Sequence, residues 1–178
     1  QDKSSRVCIL HHDYDWKGFR DAIEAVKILR SKNYEIEPVV FGEKLRDPSL
    51  LYETAGFNFE YHYRPTRERL RKIYSSCDIF LCPSWYEGLG MTAMEAMACR
   101  CSLVTTDTGG CLDYAIDGQT ALVSLPQDVN GLSKNLTRLL DDEELLMVLS
   151  ENGYRKIDEF DWDESCDRLM FLFKKIMA

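Results

Sequence analysis

Long apolar runs are missing from this sequence. No stretch approaches the roughly 20 consecutive apolar residues of a membrane-spanning helix, and no amino-terminal targeting segment is visible. Excess positive charge is missing too, with 22 Lys and Arg against 30 Asp and Glu for a net charge of −8. Nonspecific nucleic-acid binding runs on a positive surface, so no nucleic-acid partner is expected. An anionic small ligand stays admissible, because one pocket can be positive on a negative protein. The seven cysteines form no C-x-x-C pair and no zinc spacing, and most stand among apolar residues. They read as buried, reduced thiols of a cytoplasmic protein rather than as disulfides or metal ligands. A dinucleotide fingerprint G-x-G-x-x-G after the first strand is absent, and so is the G-x-x-x-x-G-K-S/T of a phosphate-binding loop.

What remains is a composition of ordinary globular kind, 45% hydrophobic and 29% charged, which excludes a disordered chain, a collagen and a coiled coil. The 178 residues suffice for one domain. A chain of that size buries roughly 70% of its unfolded surface and needs no staple. It opens at Gln1 rather than Met and reads as a piece of something longer. Apolar runs at 6–11, 36–41, 57–63, 78–82, 102–106 and 121–124 predict strands. Between them, helical spacing covers 17–32, 48–55, a segment capped by Thr66, 93–99 and a short turn after Gly110. The last third is helical, at 129–140, 141–150, 152–160 and 163–177. The sequon Asn135-Leu136-Thr137 lies inside that helical pattern and reads as chance. Alternating strands and helices predict an α/β fold: a Rossmann-like parallel sheet flanked by helices on both faces. Ligands of such sheets bind beyond the carboxyl ends of the strands.

The richest loop of that kind is Pro83-Ser84-Trp85-Tyr86-Glu87-Gly88-Leu89-Gly90-Met91-Thr92-Ala93-Met94-Glu95-Ala96-Met97-Ala98. Gly88 and Gly90 allow close backbone approach to a ligand. The free N–H groups of the helix that follows can hold a phosphate. Side chains lean toward a helix's N-terminus, so Glu95 can reach the same ligand, and its two oxygens suit a diol such as ribose. Met94, Ala96, Met97 and Ala98 predict that Glu95 sits on an otherwise buried helix and needs a partner.

Glu87, seven intervening residues and Glu95 resemble the E-x7-E motif of retaining glycosyltransferases. The fit is to the C-terminal, donor-binding domain of the family 4 (group 1) enzymes with the two-domain GT-B fold. Further segments carry the likeness along the chain: Ser76-Cys77-Asp78-Ile79-Phe80-Leu81-Cys82-Pro83-Ser84, Val104-Thr105-Thr106-Asp107-Thr108-Gly109-Gly110, Asp117-Gly118-Gln119-Thr120-Ala121-Leu122-Val123 and Glu159-Phe160-Asp161-Trp162.

The resemblance implies that Glu87 touches the donor sugar and Glu95 binds the ribose hydroxyls. It also implies that backbone amides of Gly88, Leu89, Gly90 and Met91 meet sugar and diphosphate, and that the base lies against Arg64 and Pro65. Lys17-Gly18 matches a Lys-Gly pair whose cation stabilises the leaving diphosphate as the glycosidic bond breaks. Catalytic roles thus fall to Glu87 and Lys17. The sequence departs from the pattern where Gly-Arg is usual: His11-His12 stands there, and by spacing from Lys17, His11 takes the Arg position.

The glycine pair 109–110 serves either close packing or the sugar. No metal and no cofactor are implied beyond the nucleotide-sugar donor substrate. Residues 1–178 are then one donor-binding domain, one half of a GT-B fold, without the N-terminal acceptor domain and with the acceptor unnamed. Any peripheral membrane attachment belongs to that other half. The apolar face of the terminal helix is expected to look exposed in its absence. Two other readings share the fold: a sugar-nucleotide epimerase, and a noncatalytic nucleotide-sugar binding module.

Overall fold

The computed structural model describes residues 5–43, 45 and 47–177. Six parallel strands form one sheet: β1 (Ser5–His11), β2 (Ile36–Gly42), β3 (Glu60–Tyr63), β4 (Ile79–Cys82), β5 (Ser102–Thr106) and β6 (Ala121–Ser124). Their order is β3-β2-β1-β4-β5-β6. The helices are α1 (Phe19–Ser31), α2 (Ser49–Ala55), α3 (Arg67–Ser75), α4 (Met91–Ala98), α5 (Val129–Asp141), α6 (Glu143–Ile157) and α7 (Trp162–Met177).

Strand alternation builds two cores. Val7, Ile9, Leu81, Val104 and Leu122 share one cluster with Ala22, Val26 and Leu29 of α1 and Leu132, Leu136 and Leu139 of α5. Cys8, Phe80 and Leu103 point the other way, against Ile73 and Tyr74 of α3 and Ala96 and Met97 of α4. Each large buried side chain contributes about 1.5–3 kcal/mol, so truncating Leu136 to Ala would cost about 2–5 kcal/mol. Helix starts are set by short polar side chains. Thr66 accepts from Arg69 N at 3.3 Å, Asp128 from Gly131 N at 2.8 Å and Asp142 from Leu145 N at 2.9 Å.

Several boundaries differ from the sequence expectation for identifiable reasons. The segment expected to start at Lys17 opens as a short 3-10 turn, Asp15–Lys17, and α1 begins only after Gly18, whose φ of 68° is left-handed. β3 starts at Glu60 rather than Phe57, because Phe57 and Phe59 pack with Tyr52 against the first core. The expected break near residue 151 does not occur. α6 runs through Gly153, where a Cβ would approach Met97 Cε to 2.9 Å and Thr120 O to 3.2 Å, so the glycine lets α6 lie close on α4 and β6. Asn135 is buried on α5.

The strand order places the functional crevice. From β1 the chain winds outward through β2 to β3, then α3 carries it back to β4 on the other flank of β1. The loops after β1 and β4 therefore diverge to opposite faces, leaving a gap at their carboxyl ends where open α/β sheets bind ligands.

Candidate functional site

The loops after β1 and β4 are tied together at that gap. Trp85 N donates to Trp16 O at 2.7 Å, and Trp85 Nε1 donates to Asp21 Oδ2 at 2.8 Å. A Cβ on Gly18 would stand 2.1 Å from Pro83 O, so only glycine permits the two backbones to touch there. Across this seam Lys17 Nζ donates to both carboxylate oxygens of Glu87, at 2.7 and 2.9 Å. Ser84 Oγ donates to the same carboxylate at 2.8 Å. The pair is largely enclosed, with Lys17 22% and Glu87 14% exposed at the side chain.

A third loop, after β5, fixes Glu87 from behind. Glu87 N donates to Thr108 O at 3.3 Å, and Glu87 bridges to Gly109. Thr106 Oγ1 donates to Ser84 O. A Cβ on Gly110 would lie 1.8 Å from Gly88 O, so Gly110 serves close packing of one site loop on another, whereas a Cβ on Gly109 would meet nothing and that glycine answers to its left-handed φ of 82°. Tyr114 OH donates to Gly90 O at 3.3 Å and holds the loop where α4 begins.

Glu95 corrects the expectation of a buried carboxylate. Ala93, Ala96 and Met97 are the buried residues of α4, and Glu95 is exposed on the other side, toward the groove between α3 and α4. It still has a partner: Tyr74 OH donates to Glu95 Oε2 at 3.3 Å. Burial and the Glu95 charge push the Tyr74 phenol far above its usual range, so it stays a donor. Gly88 and Met91 are exposed, and Leu89 and Gly90 half-buried, at the mouth of the site. Arg64 is exposed with a φ of 44°, beside half-buried Pro65, on the loop leaving β3.

His11 is not brought to the Lys17–Glu87 pair. Its ring is buried edge-on against Phe19 at 4.8 Å and Tyr61 at 6.3 Å, and it forms no ion pair or hydrogen bond with either residue. Burial pulls its pKa below 6.5, opposed by Asp13 and aided by His12, so the ring is neutral. It lines a groove of about 550 Å³ between the β1 loop, α1 and α2. The reason is register: His11 continues the Val7, Ile9 side of β1.

Ser84, Tyr74, Tyr114 and Trp85 carry positioning roles that the residue pattern did not reveal. Ser84 lies three residues before Glu87 on the loop after β4, and only its hydroxyl's bond to that carboxylate marks it. Tyr74 and Tyr114 are buried among the core aromatics, and their hydroxyl partners set them apart. Two stretches, Asp13-Tyr14-Asp15 and Asp161-Trp162-Asp163, have the spacing of an acidic metal motif. Among the described residues, however, no three His, Cys, Asp or Glu side chains converge on a metal-sized site. The described cysteines carry free thiols, with Cys8, Cys77, Cys82, Cys101 and Cys111 buried. Among the described residues, no helix is long and apolar enough to cross a membrane.

A family model described as "Glycosyl transferases group 1" matches residues 1–156. The chain is 25% identical over 177 residues to the N,N'-diacetylbacillosaminyl-diphospho-undecaprenol alpha-1,3-N-acetylgalactosaminyltransferase of Campylobacter jejuni. That match covers 99% of this chain and 46% of that protein, so the chain spans less than half its relative's length. The C-terminal domain of a group 1 glycosyl transferase family protein from Francisella tularensis superposes with a TM-score of 0.73 at 23% identity, over 88% of this chain and 85% of that one. Anabaena HepE, solved with UDP and glucose, superposes with a TM-score of 0.82 at 17% identity, over 97% of this chain and 48% of that one.

Proposed function

The chain belongs to the group 1 glycosyl transferases, and on that premise we propose that it is the donor-binding half of a retaining enzyme. The enzyme moves a glycosyl group from a nucleotide-diphosphate sugar to an acceptor hydroxyl. One observation carries the reading: the Lys17–Glu87 pair spans the crevice between the β1 and β4 loops, directly before the N-terminus of α4. A cation, a carboxylate and free helix N–H groups at one point suit a sugar diphosphate. The fold-mate solved with UDP and glucose supports the same ligand class.

In this reading the diphosphate lies over the N-terminus of α4, against the amides of Gly88, Leu89, Gly90 and Met91. Lys17 stabilises the charge that grows on the leaving group. Glu87 orients the sugar, and Glu95, steadied by the Tyr74 hydroxyl, takes the ribose diol. The base rests by Arg64 and Pro65. The acceptor oxygen bonds to the anomeric carbon on the face the diphosphate leaves. The C–O bond to phosphate breaks with its electron pair going to phosphate, and the hydroxyl proton passes to that phosphate oxygen. No side chain of this chain serves as nucleophile, and no metal or cofactor takes part. His11 contributes no charge to the diphosphate, because it is buried, neutral and turned to the α1–α2 side. The acceptor half comes from a second domain, so the 178 residues bind donor and transfer nothing measurable alone.

The test is calorimetric titration with UDP, GDP and ADP, beside Glu95→Ala and Lys17→Ala. Preference for one diphosphate, weakened about tenfold or more in both variants, is expected. Equal affinity of wild type and variants, or sugar transfer by the 178 residues alone, would overturn the assignment.

A further inference from the structure

Four aromatic rings stack in a row along the lip of the crevice. His12 lies on Tyr14 with centroids 4.4 Å apart, Tyr14 on Trp16 at 4.2 Å, and Trp16 on Tyr86 at 5.8 Å, the last two pairs within 15° of parallel. The row crosses from the β1 loop to the β4 loop. It runs one residue ahead of the ion pair on both, since Trp16 precedes Lys17 and Tyr86 precedes Glu87. Trp85 N bonded to Trp16 O fixes the two loops, so the row is built on a rigid seam. Its Tyr86 end is open: Tyr86 is 58% exposed and stacks on no ring but Trp16 among the described residues, while Tyr14 inside the row is 50% exposed and His12 at the far end is half-buried.

Neither the two cores nor the donor reading uses these rings. Exposed aromatic surface of this extent on a loop marks a binding face rather than packing. The charge around it selects the occupant. Asp13 and Asp15 are exposed between the rings, and the groove of about 550 Å³ beyond His12 and Tyr14 adds Glu24, so three carboxylates stand against one cation, Arg20, in its lining. Carboxylates there repel phosphate and uronate but accept hydrogen bonds from hydroxyls. The outer face of Tyr86 and the exposed ring edge of Tyr14, set among hydroxyl acceptors, match the apolar faces and hydroxyl rims of neutral sugar rings. The buried His11, whose Nδ1 has no hydrogen-bond partner, lines the same groove.

We propose that the His12–Tyr14–Trp16–Tyr86 row and the groove beyond it bind a neutral saccharide acceptor. Tyr86 stacks on the ring that receives the transferred sugar beside Glu87, and the remaining rings follow the row toward the groove. The acceptor is therefore an oligosaccharide or the glycan end of a larger molecule, and this chain supplies part of its site. The inference rests on the donor assignment above only for the direction of transfer; the row itself is independent of it.

The experiment is saturation-transfer NMR and tryptophan fluorescence on the 178-residue chain with maltotetraose, cellotetraose, chitotetraose and tetragalacturonate, with and without UDP. Transfer to the ring protons of at least one neutral tetrasaccharide is expected, with none to the uronate. Tyr86→Ala should weaken that binding about tenfold and Tyr86→Phe leave it within about twofold, because the face and not the hydroxyl is used. UDP affinity should be unchanged in both variants. Absence of any neutral saccharide signal overturns the proposal while leaving the donor site standing if UDP binds. Loss of UDP binding in Tyr86→Ala also overturns it, by assigning the row to the nucleotide. Saccharide binding without UDP binding keeps the platform and sinks the donor assignment.

Discussion

Glu87→Gln should tighten the binding of a bare nucleoside diphosphate, although it removes a residue placed in the donor site. In the free protein Lys17 is already neutralised by Glu87, at 2.7 Å. At an effective dielectric of ~20 that attraction is about 6 kcal/mol gross. Desolvation of two groups only 22% and 14% exposed offsets most of it, leaving a net about 1–3 kcal/mol, between exposed and buried pairs. A diphosphate that needs Lys17 must compete with this pair. Glutamine keeps the size and the hydrogen bond from Ser84 Oγ but gives up the charge. Returning about 1 kcal/mol of that competition tightens UDP roughly fivefold. Calorimetry at about 50 mM and about 1 M salt measures it, with the gain shrinking at high salt because the effect is Coulombic. The Glu87→Gln, Lys17→Ala double variant should show no gain over Lys17→Ala alone. UDP affinity that is equal or weaker in Glu87→Gln at low salt would refute the idea that Lys17 passes from carboxylate to phosphate.

Gly18→Ala should lower the melting temperature and weaken UDP together, because a left-handed alanine costs about 1–2 kcal/mol and its Cβ would strike Pro83 O; a variant with wild-type values for both would show that the seam is not tight. Tyr74→Phe should leave stability within about 1 kcal/mol, since the ring keeps its edge contacts with Phe41 and Phe80, while weakening UDP about twofold to fivefold through Glu95; unchanged affinity by calorimetry would remove Tyr74 from the site. His11 gives the pH dependence. Burial holds its folded pKa below the 6.5 of the unfolded chain, so the unfolded state takes up the proton first and stability is lost as pH falls from 6.5 through the folded value. Thermal unfolding between pH 7.5 and 5 should therefore slope less in His11→Phe than in wild type, and equal slopes would contradict a buried neutral imidazole.

The fold was legible where local physics decides it. Alternating apolar runs at β1, β4 and β5 and the apolar spacing of α1 and α5 mark buried strands and amphipathic helices, and all of them form. Boundaries escaped wherever a tertiary neighbour overrides the local signal. The pattern reads as two helices divided at residue 151, yet α6 runs unbroken from Glu143 to Ile157, with Gly153 giving α4 a side-chain-free surface. Phe57 and Phe59 read as strand, yet β3 pairs with β2 only from Val39, just beyond Pro38, which has no N–H to donate. Helix α7 has the spacing of a packed helix and buries none of its residues, with Trp162 72% exposed. Periodicity says that a face is apolar and is silent on what covers it.

For the site, spacing located the right loops but not the direction of each side chain. Glu95 illustrates the limit: its apolar neighbours suggested burial, yet on an eight-residue helix facing inward through Ala93, Ala96 and Met97, position 95 turns outward by helical geometry alone. His11 illustrates the converse. Counting back from Lys17 puts it near the diphosphate, but strand alternation sends its ring to the side of Val7 and Ile9. Each residue obeys its own element's period rather than the spacing to a partner on another element. The Lys17–Glu87 contact was reachable only through the strand order, which sets β1 beside β4 and so makes neighbours of residues 70 positions apart. The aromatic row follows from that same adjacency: Trp16 and Tyr86 each precede one member of the ion pair, so the pairing that aligns the charges also aligns the rings.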